Sequence, residues 1–84
     1  MKRKIVERTQ TGVRLEKSLL KVLKGTAEYC DLSLGDLLEG IVLHAFEGKA
    51  PFSRETQDAI NELKKVYGCK LTAADSHHLK EVSS

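Results

Sequence analysis

The chain has 84 residues, a formal net charge of +2, a hydrophobic fraction of 40% and a charged fraction of 31%. This composition is typical of a soluble folded domain and argues against a disordered chain. No stretch approaches the roughly 18 consecutive apolar residues that a bilayer span needs. The basic opening residues resemble the start of a signal peptide, but Ile5 and Val6 give way at once to Glu7 and Arg8. We therefore expect an unprocessed cytoplasmic protein that does not contact a membrane.

The small size of the chain predicts that something besides its own core stabilises it. A domain of this length buries only roughly 60–65% of its unfolded surface, and disulfides, metals or oligomerisation usually supply the rest. The two cysteines, Cys30 and Cys69, form no Cys-x-x-Cys pair, and a cytoplasmic location argues against a disulfide between them. Oligomerisation is the favoured stabiliser.

Charge is distributed unevenly along the chain. Residues 1–24 have a net charge of +6 and residues 25–84 a net charge of −4. The basic side chains of the first segment are Lys2, Arg3, Lys4, Arg8, Arg14, Lys17, Lys21 and Lys24. A basic N-terminal part followed by an acidic remainder indicates a surface that binds a polyanion. The alternative is that the basic residues belong to a solvated N-terminus.

Residues 9–15 are predicted to form a strand. Thr9, Thr11 and Val13 are β-branched, and Val13 and Leu15 alternate with Gly12 and Arg14, which favours extended backbone. A lone strand cannot satisfy its own backbone polar groups. Its simplest partner is the same strand of a second copy.

Three helices are predicted after the strand. The first covers 16–30, with apolar residues at spacings of three and four and with Gly25 as a point of close packing. The second runs from Leu34 to about residue 47, with Ser33 as its cap and Asp36 at the capping-box position. Its apolar positions are Leu34, Leu37, Leu38, Ile41, Val42 and Ala45, widened by Leu43 and Phe46.

The third helix covers 54–67, between a Ser53 cap and a Gly68 stop, and 72–75 could form one more short turn. The predicted organisation is a basic N-terminal arm (1–8), a core (9–48), a linker with the third helix (49–69) and a polar, partly mobile tail (70–84).

Motifs of catalysis are missing from the sequence. It contains no glycine-rich phosphate loop, no Gly-x-Ser-x-Gly and no His-Glu-x-x-His. The candidate zinc ligands are His77, His78 and Cys69. Only the two histidines are close in sequence, whereas a structural zinc site normally has two such close pairs of ligands. We expect no enzymatic activity, no cofactor and no metal.

Two stretches carry a resemblance to a known family. The first is the strand-to-helix junction from Thr11 to Leu23, in which Arg14-Leu15 precedes a helix with the paired Leu19 and Leu20. The second is Leu32-Ser33-Leu34-Gly35-Asp36-Leu37-Leu38, a serine cap followed by an acid and two apolar residues. Together they resemble the ribbon-helix-helix family of bacterial repressors over about residues 9–47. The expected fold is mainly α, with one N-terminal strand that pairs across a homodimer and an additional C-terminal helix.

The resemblance implies sequence-specific binding of double-stranded DNA by a homodimer, with the paired strands in the major groove, and hence a transcriptional regulator. The base-reading positions would be Gln10, Gly12 and Arg14. Phosphates would meet Lys2, Arg3, Lys4 and Arg8, together with Ser33, Leu34 and Gly35 at the start of the second helix. The dimer core would contain Val13, Leu15, Leu37, Leu38, Ile41, Val42 and Phe46.

A second hypothesis belongs to another class of function. The dimer would be an antitoxin-like or structural interaction module, in which residues 49–84 bind a partner protein. Both roles can coexist in one protein.

Overall fold

The computed structural model describes residues 3–82 and contains three α-helices. Helix α1 spans Lys17–Tyr29, α2 spans Leu34–Phe46 and α3 spans Arg54–Tyr67, and a single 3₁₀ turn follows at Ala73–Asp75. The predicted mainly helical fold with three helices is confirmed. None of these helices combines the length and the apolar character needed to cross a membrane.

Side chains just ahead of each helix satisfy its first backbone N–H groups. The Glu16 carboxylate accepts from the N–H groups of Leu19 at 2.8 Å and Ser18 at 3.1 Å, so a glutamate caps α1. Ser33 Oγ caps α2 by accepting from the Asp36 N–H at 3.1 Å. Ser53 Oγ caps α3 in the same way, at 3.2 Å from the backbone nitrogen of residue 56. The two predicted serine caps are confirmed.

Left-handed residues follow all three helices. Asp31 follows α1 with φ 58°, Gly48 follows α2 with φ 68° and Gly68 follows α3 with φ 65°. After α1, the Leu32 N–H donates to the Ala27 carbonyl at 2.9 Å, which satisfies a carbonyl that has no partner within the helix. The equivalent bond after α3 joins the Cys69 N–H to a carbonyl of the last turn, also at 2.9 Å. Gly68 therefore acts as the predicted stop.

Helix α1 is the centre of the chain's own core and packs mainly against α3. The most deeply buried side chains are Val22, Thr26 and Ala27 of α1, Leu37 of α2, and Cys69 just after α3. The buried Thr26 hydroxyl donates to the Val22 carbonyl at 2.7 Å, so its burial leaves no polar group unsatisfied. Cys30 and Cys69 are both free thiols.

Gly25 marks the closest approach between α1 and α3. A Cβ atom at this position would lie 3.2 and 3.3 Å from the two Leu63 methyl carbons, which is closer than ordinary van der Waals contact between carbons. The predicted close packing at Gly25 is confirmed.

The predicted strand is not present in this single chain. Within residues 3–82 no strand occurs, and 9–15 has no regular secondary structure. A strand needs a neighbour whose N–H and C=O groups complete its hydrogen bonds, and the helices of the same chain offer none. We refer to residues 3–16, which precede α1, as the N-terminal segment.

The chain exposes more surface than a closed monomer of its mass. Its accessible surface is 7785 Å², whereas the scaling for monomeric proteins gives roughly 5000 Å² at 9.3 kDa. The radius of gyration is 14.3 Å, against about 12 Å for a compact domain of this length. Exposed large apolar side chains occur in the N-terminal segment, on α2, on α3 and after the 3₁₀ turn.

Candidate nucleic-acid interface

Basic side chains cover the N-terminal segment and continue onto α1. Arg3, Lys4 and Arg14 of the segment are exposed, and so are Lys17, Lys21 and Lys24 of α1. Lys2 lies outside the described residues. Because α1 follows the segment directly, the two sets of cations belong to one end of the chain, where they can attract a polyanion.

Arg8 contacts two carboxylates of α2 and is bound to one of them at two points. Its Nε and Nη2 atoms donate to the two carboxylate oxygens of Glu39 on α2, each at 2.9 Å. Asp36 lies 3.8 Å from Nη2. The hydrogen bond with Glu39 raises the pKa of Arg8, and the same bond lowers the pKa of Glu39. Both groups are therefore held in their charged forms.

The three predicted base-reading residues are all exposed in the N-terminal segment. A Cβ atom added at Gly12 would have no neighbouring heavy atom within 4 Å, so there is open space at this position. The Arg14 guanidinium forms an ion pair with Glu81, which lies after the 3₁₀ turn. The Arg14 side chain is nevertheless 83% exposed, so a ligand that competes with Glu81 can reach it.

The predicted phosphate site at the start of α2 has mixed character. Ser33 and Gly35 are exposed, and Leu34 is half-buried. The Ser33 hydroxyl is engaged in capping. The Asp36 carboxylate does not complete a capping box but lies beside Arg8, where its negative charge opposes the approach of a phosphate.

The predicted dimer-core residues on α2 divide into two sets. Leu37 is only 3% exposed and Ile41 is half-buried, so these two residues already stabilise the single chain. Val42 and Phe46 are 42% and 82% exposed. With the half-buried Leu38 they recur every fourth residue, so the three lie along one side of the helix. We call Leu38, Val42 and Phe46 the α2 stripe.

Two apolar residues of the N-terminal segment are also exposed. Val13 is 73% exposed and Leu15 is 39% exposed. Both line a groove between the segment and the helices, together with Leu38 of the α2 stripe and Leu20 of α1. The two predicted dimer-core residues of the segment and Leu38 of α2 therefore border a common surface.

Three acidic residues of this region were missed by reasoning from the sequence. Glu16 carried no recognisable signal, because helix caps are normally Ser, Thr, Asp or Asn. Glu39 and Glu81 each contact an arginine far away in the chain, and no local pattern reports such pairs. The Glu16 contacts have an electrostatic consequence, because bonds from the Ser18 hydroxyl and from the Leu19 N–H lower its pKa.

No protein-family model matches the chain, and neither a curated protein nor a solved structure matches it. Between residues 3 and 82, no group of three or more His, Cys, Asp or Glu side chains is placed to hold a metal ion. The functional argument therefore rests on the surface described above.

Proposed function

We propose that the chain forms a homodimer of the ribbon-helix-helix type and binds double-stranded DNA as a transcriptional regulator. The observation that carries the proposal is the exposed α2 stripe beside a basic N-terminal segment that has no strand partner within residues 3–82. One second copy would supply both missing partners. Its segment would pair with the first segment, and its α2 would cover the stripe.

The size of the exposed surface supports a dimer. The excess over a closed monomer is roughly 2800 Å² by the mass scaling. Not all of it is apolar, because the segment and the tail contribute polar residues. A stable interface needs about 800 Å² from each partner, so covering a third of the excess on each chain would suffice.

The charge of the segment supports DNA as the ligand of such a dimer. Two copies would bring two basic segments side by side, which concentrates positive charge at one end of an otherwise acidic body. Lys2, Arg3 and Lys4 would attract phosphates without reading sequence. Arg14 and Gln10 have the donor geometry for guanine and adenine edges in the major groove.

The decisive experiment compares the affinity of the purified protein for two labelled duplexes by fluorescence anisotropy. One duplex contains the DNA upstream of the chain's own gene, and the other is a scrambled control. We expect tighter binding to the upstream DNA and a steep fall in affinity as salt rises. Absence of binding to both duplexes at low salt would refute the proposal.

Arg14→Ala tests the reading role of the segment. The exchange should weaken binding to the upstream duplex by about 1–3 kcal/mol and reduce the preference over the scrambled duplex, while the dimer remains intact. Arg54→Ala is the matched control, because Arg54 is an exposed arginine at the start of α3. Equal affinities of the Arg14 variant and the wild type would count against base reading by this residue.

A further inference from the structure

The contact between Arg8 and Glu39 holds the basic segment to α2 through a pair of hydrogen bonds. Both bonds measure 2.9 Å and join one guanidinium to both oxygens of one carboxylate. This two-point geometry fixes the orientation of both groups, in contrast to a lysine contact that fixes only a distance. Arg8 lies two residues before Gln10, the first predicted base-reading position.

We propose that Arg8 is a positioning residue, which anchors the start of the DNA-reading segment on α2 and does not itself contact a phosphate. This inference rests on the proposed function. To bind a phosphate, Arg8 would have to leave Glu39 without a partner next to Asp36, and two uncompensated carboxylates would then face the DNA backbone. Keeping the pair intact compensates the charge of Glu39 and leaves phosphate attraction to Arg3 and Lys4.

The anchor would act by restricting the segment before DNA arrives. Each residue that is ordered only on binding costs conformational entropy, and preorganisation removes that cost from the binding step. Arg8 also lines a groove on α2 with Leu38 and Val42 of the stripe. The anchor therefore fixes the segment at the edge of the proposed dimer interface, in the region where the two segments would pair.

The first test needs no DNA and measures the order of the segment in solution. Heteronuclear ¹H–¹⁵N NOE values of the amides in 6–10 should fall in Arg8→Gln and in Glu39→Gln. The charge-swapped variant that combines Arg8→Glu with Glu39→Arg should restore them. Glu62→Gln is the matched control, since Glu62 pairs with a lysine within α3. Unchanged NOE values in both single variants would overturn the anchor.

The second test separates an anchor from a phosphate contact by salt dependence. For a short duplex, each lost phosphate contact lowers the slope of log affinity against log salt by about 0.9. Arg3→Gln should show this loss of slope, whereas Arg8→Gln should keep the wild-type slope. The affinity of Arg8→Gln for the duplex should fall only about twofold to fivefold, which is the effect expected for a single exposed ion pair. An equal loss of slope in both variants would overturn the proposal.

The two tests also distinguish the inference from the function on which it rests. If the NOE values change among the variants as expected but the wild-type protein binds no duplex, the anchor stands and DNA binding is refuted. If the wild-type protein binds DNA but the NOE values are unchanged in both single variants, DNA binding stands and the anchor is refuted.

Discussion

Replacing Phe46 with alanine tests whether the α2 stripe forms the dimer interface. The ring is 82% exposed in the single chain, so its removal takes little from the fold of each chain. In the proposed dimer the same ring is covered by the second copy. The substitution should therefore weaken association while leaving the folded chain almost unchanged.

The expected size of the effect follows from the buried area. Full burial of a phenylalanine side chain stabilises by about 1.5–3 kcal/mol, and a two-fold interface contains each contact twice. Because each Phe46 ring is 82% exposed before association, the two rings together should contribute roughly 2.5–5 kcal/mol to the association free energy of the dimer. The dimer dissociation constant should rise by roughly 60-fold to several thousandfold.

Sedimentation equilibrium over a range of protein concentrations measures this constant directly. Val66→Ala is the control, because Val66 is 73% exposed on α3, outside the proposed interface, and its exchange should leave the constant unchanged. A wild-type chain that stays monomeric, or a Phe46 variant that dimerises as strongly as the wild type, would refute the assignment of the stripe.

Three further predictions concern stability and the C-terminal residues. Gly25→Val should lower the free energy of unfolding in urea by about 1–3 kcal/mol, because the added carbons meet α3 at a point of close packing; a stabilised variant would contradict that packing. The pKa of Glu16 in the folded chain lies below its ordinary value of 4.5. The Glu16 cap therefore stabilises the chain fully at pH values above 4.5, and this stabilisation is lost as the pH falls through the lowered pKa of the folded chain. In thermal melts Glu16→Gln should therefore be less stable than the wild type at neutral pH, and the difference should shrink in acid. Deleting 76–84 should leave the chain folded and DNA affinity equal or higher, because Glu81 no longer competes for Arg14; a loss of affinity would show that the tail contributes to binding.

The helices were predictable because the signals that define them are local. Apolar spacing, the serines before α2 and α3 and the glycine after α3 all act within a few residues, and the helices lie within one residue of the predicted bounds. The strand prediction failed in the single chain for the opposite reason. Its hydrogen bonds depend on a neighbouring strand, which no local pattern in the chain can supply.

The candidate interface was predictable in its charge and not in its contacts. The sequence places eight basic residues before residue 25, but it does not show that Arg8 is held by Glu39, 31 residues further along the chain. Contacts of this kind depend on where the helices bring their surfaces together, which is a property of the packed chain.

Considered alone, the sequence determined three helices behind a basic segment and the serine caps of two of them, because capping, periodicity and charge are properties of neighbouring residues. Only the tertiary structure decided how the apolar residues of α2 are used. Leu37 is buried in the chain's own core whereas Phe46 stays exposed, although both belong to the same apolar run. The physical reason is that the rest of the chain covers only one side of α2, and the hydrophobic effect rewards burial without specifying which surface supplies it.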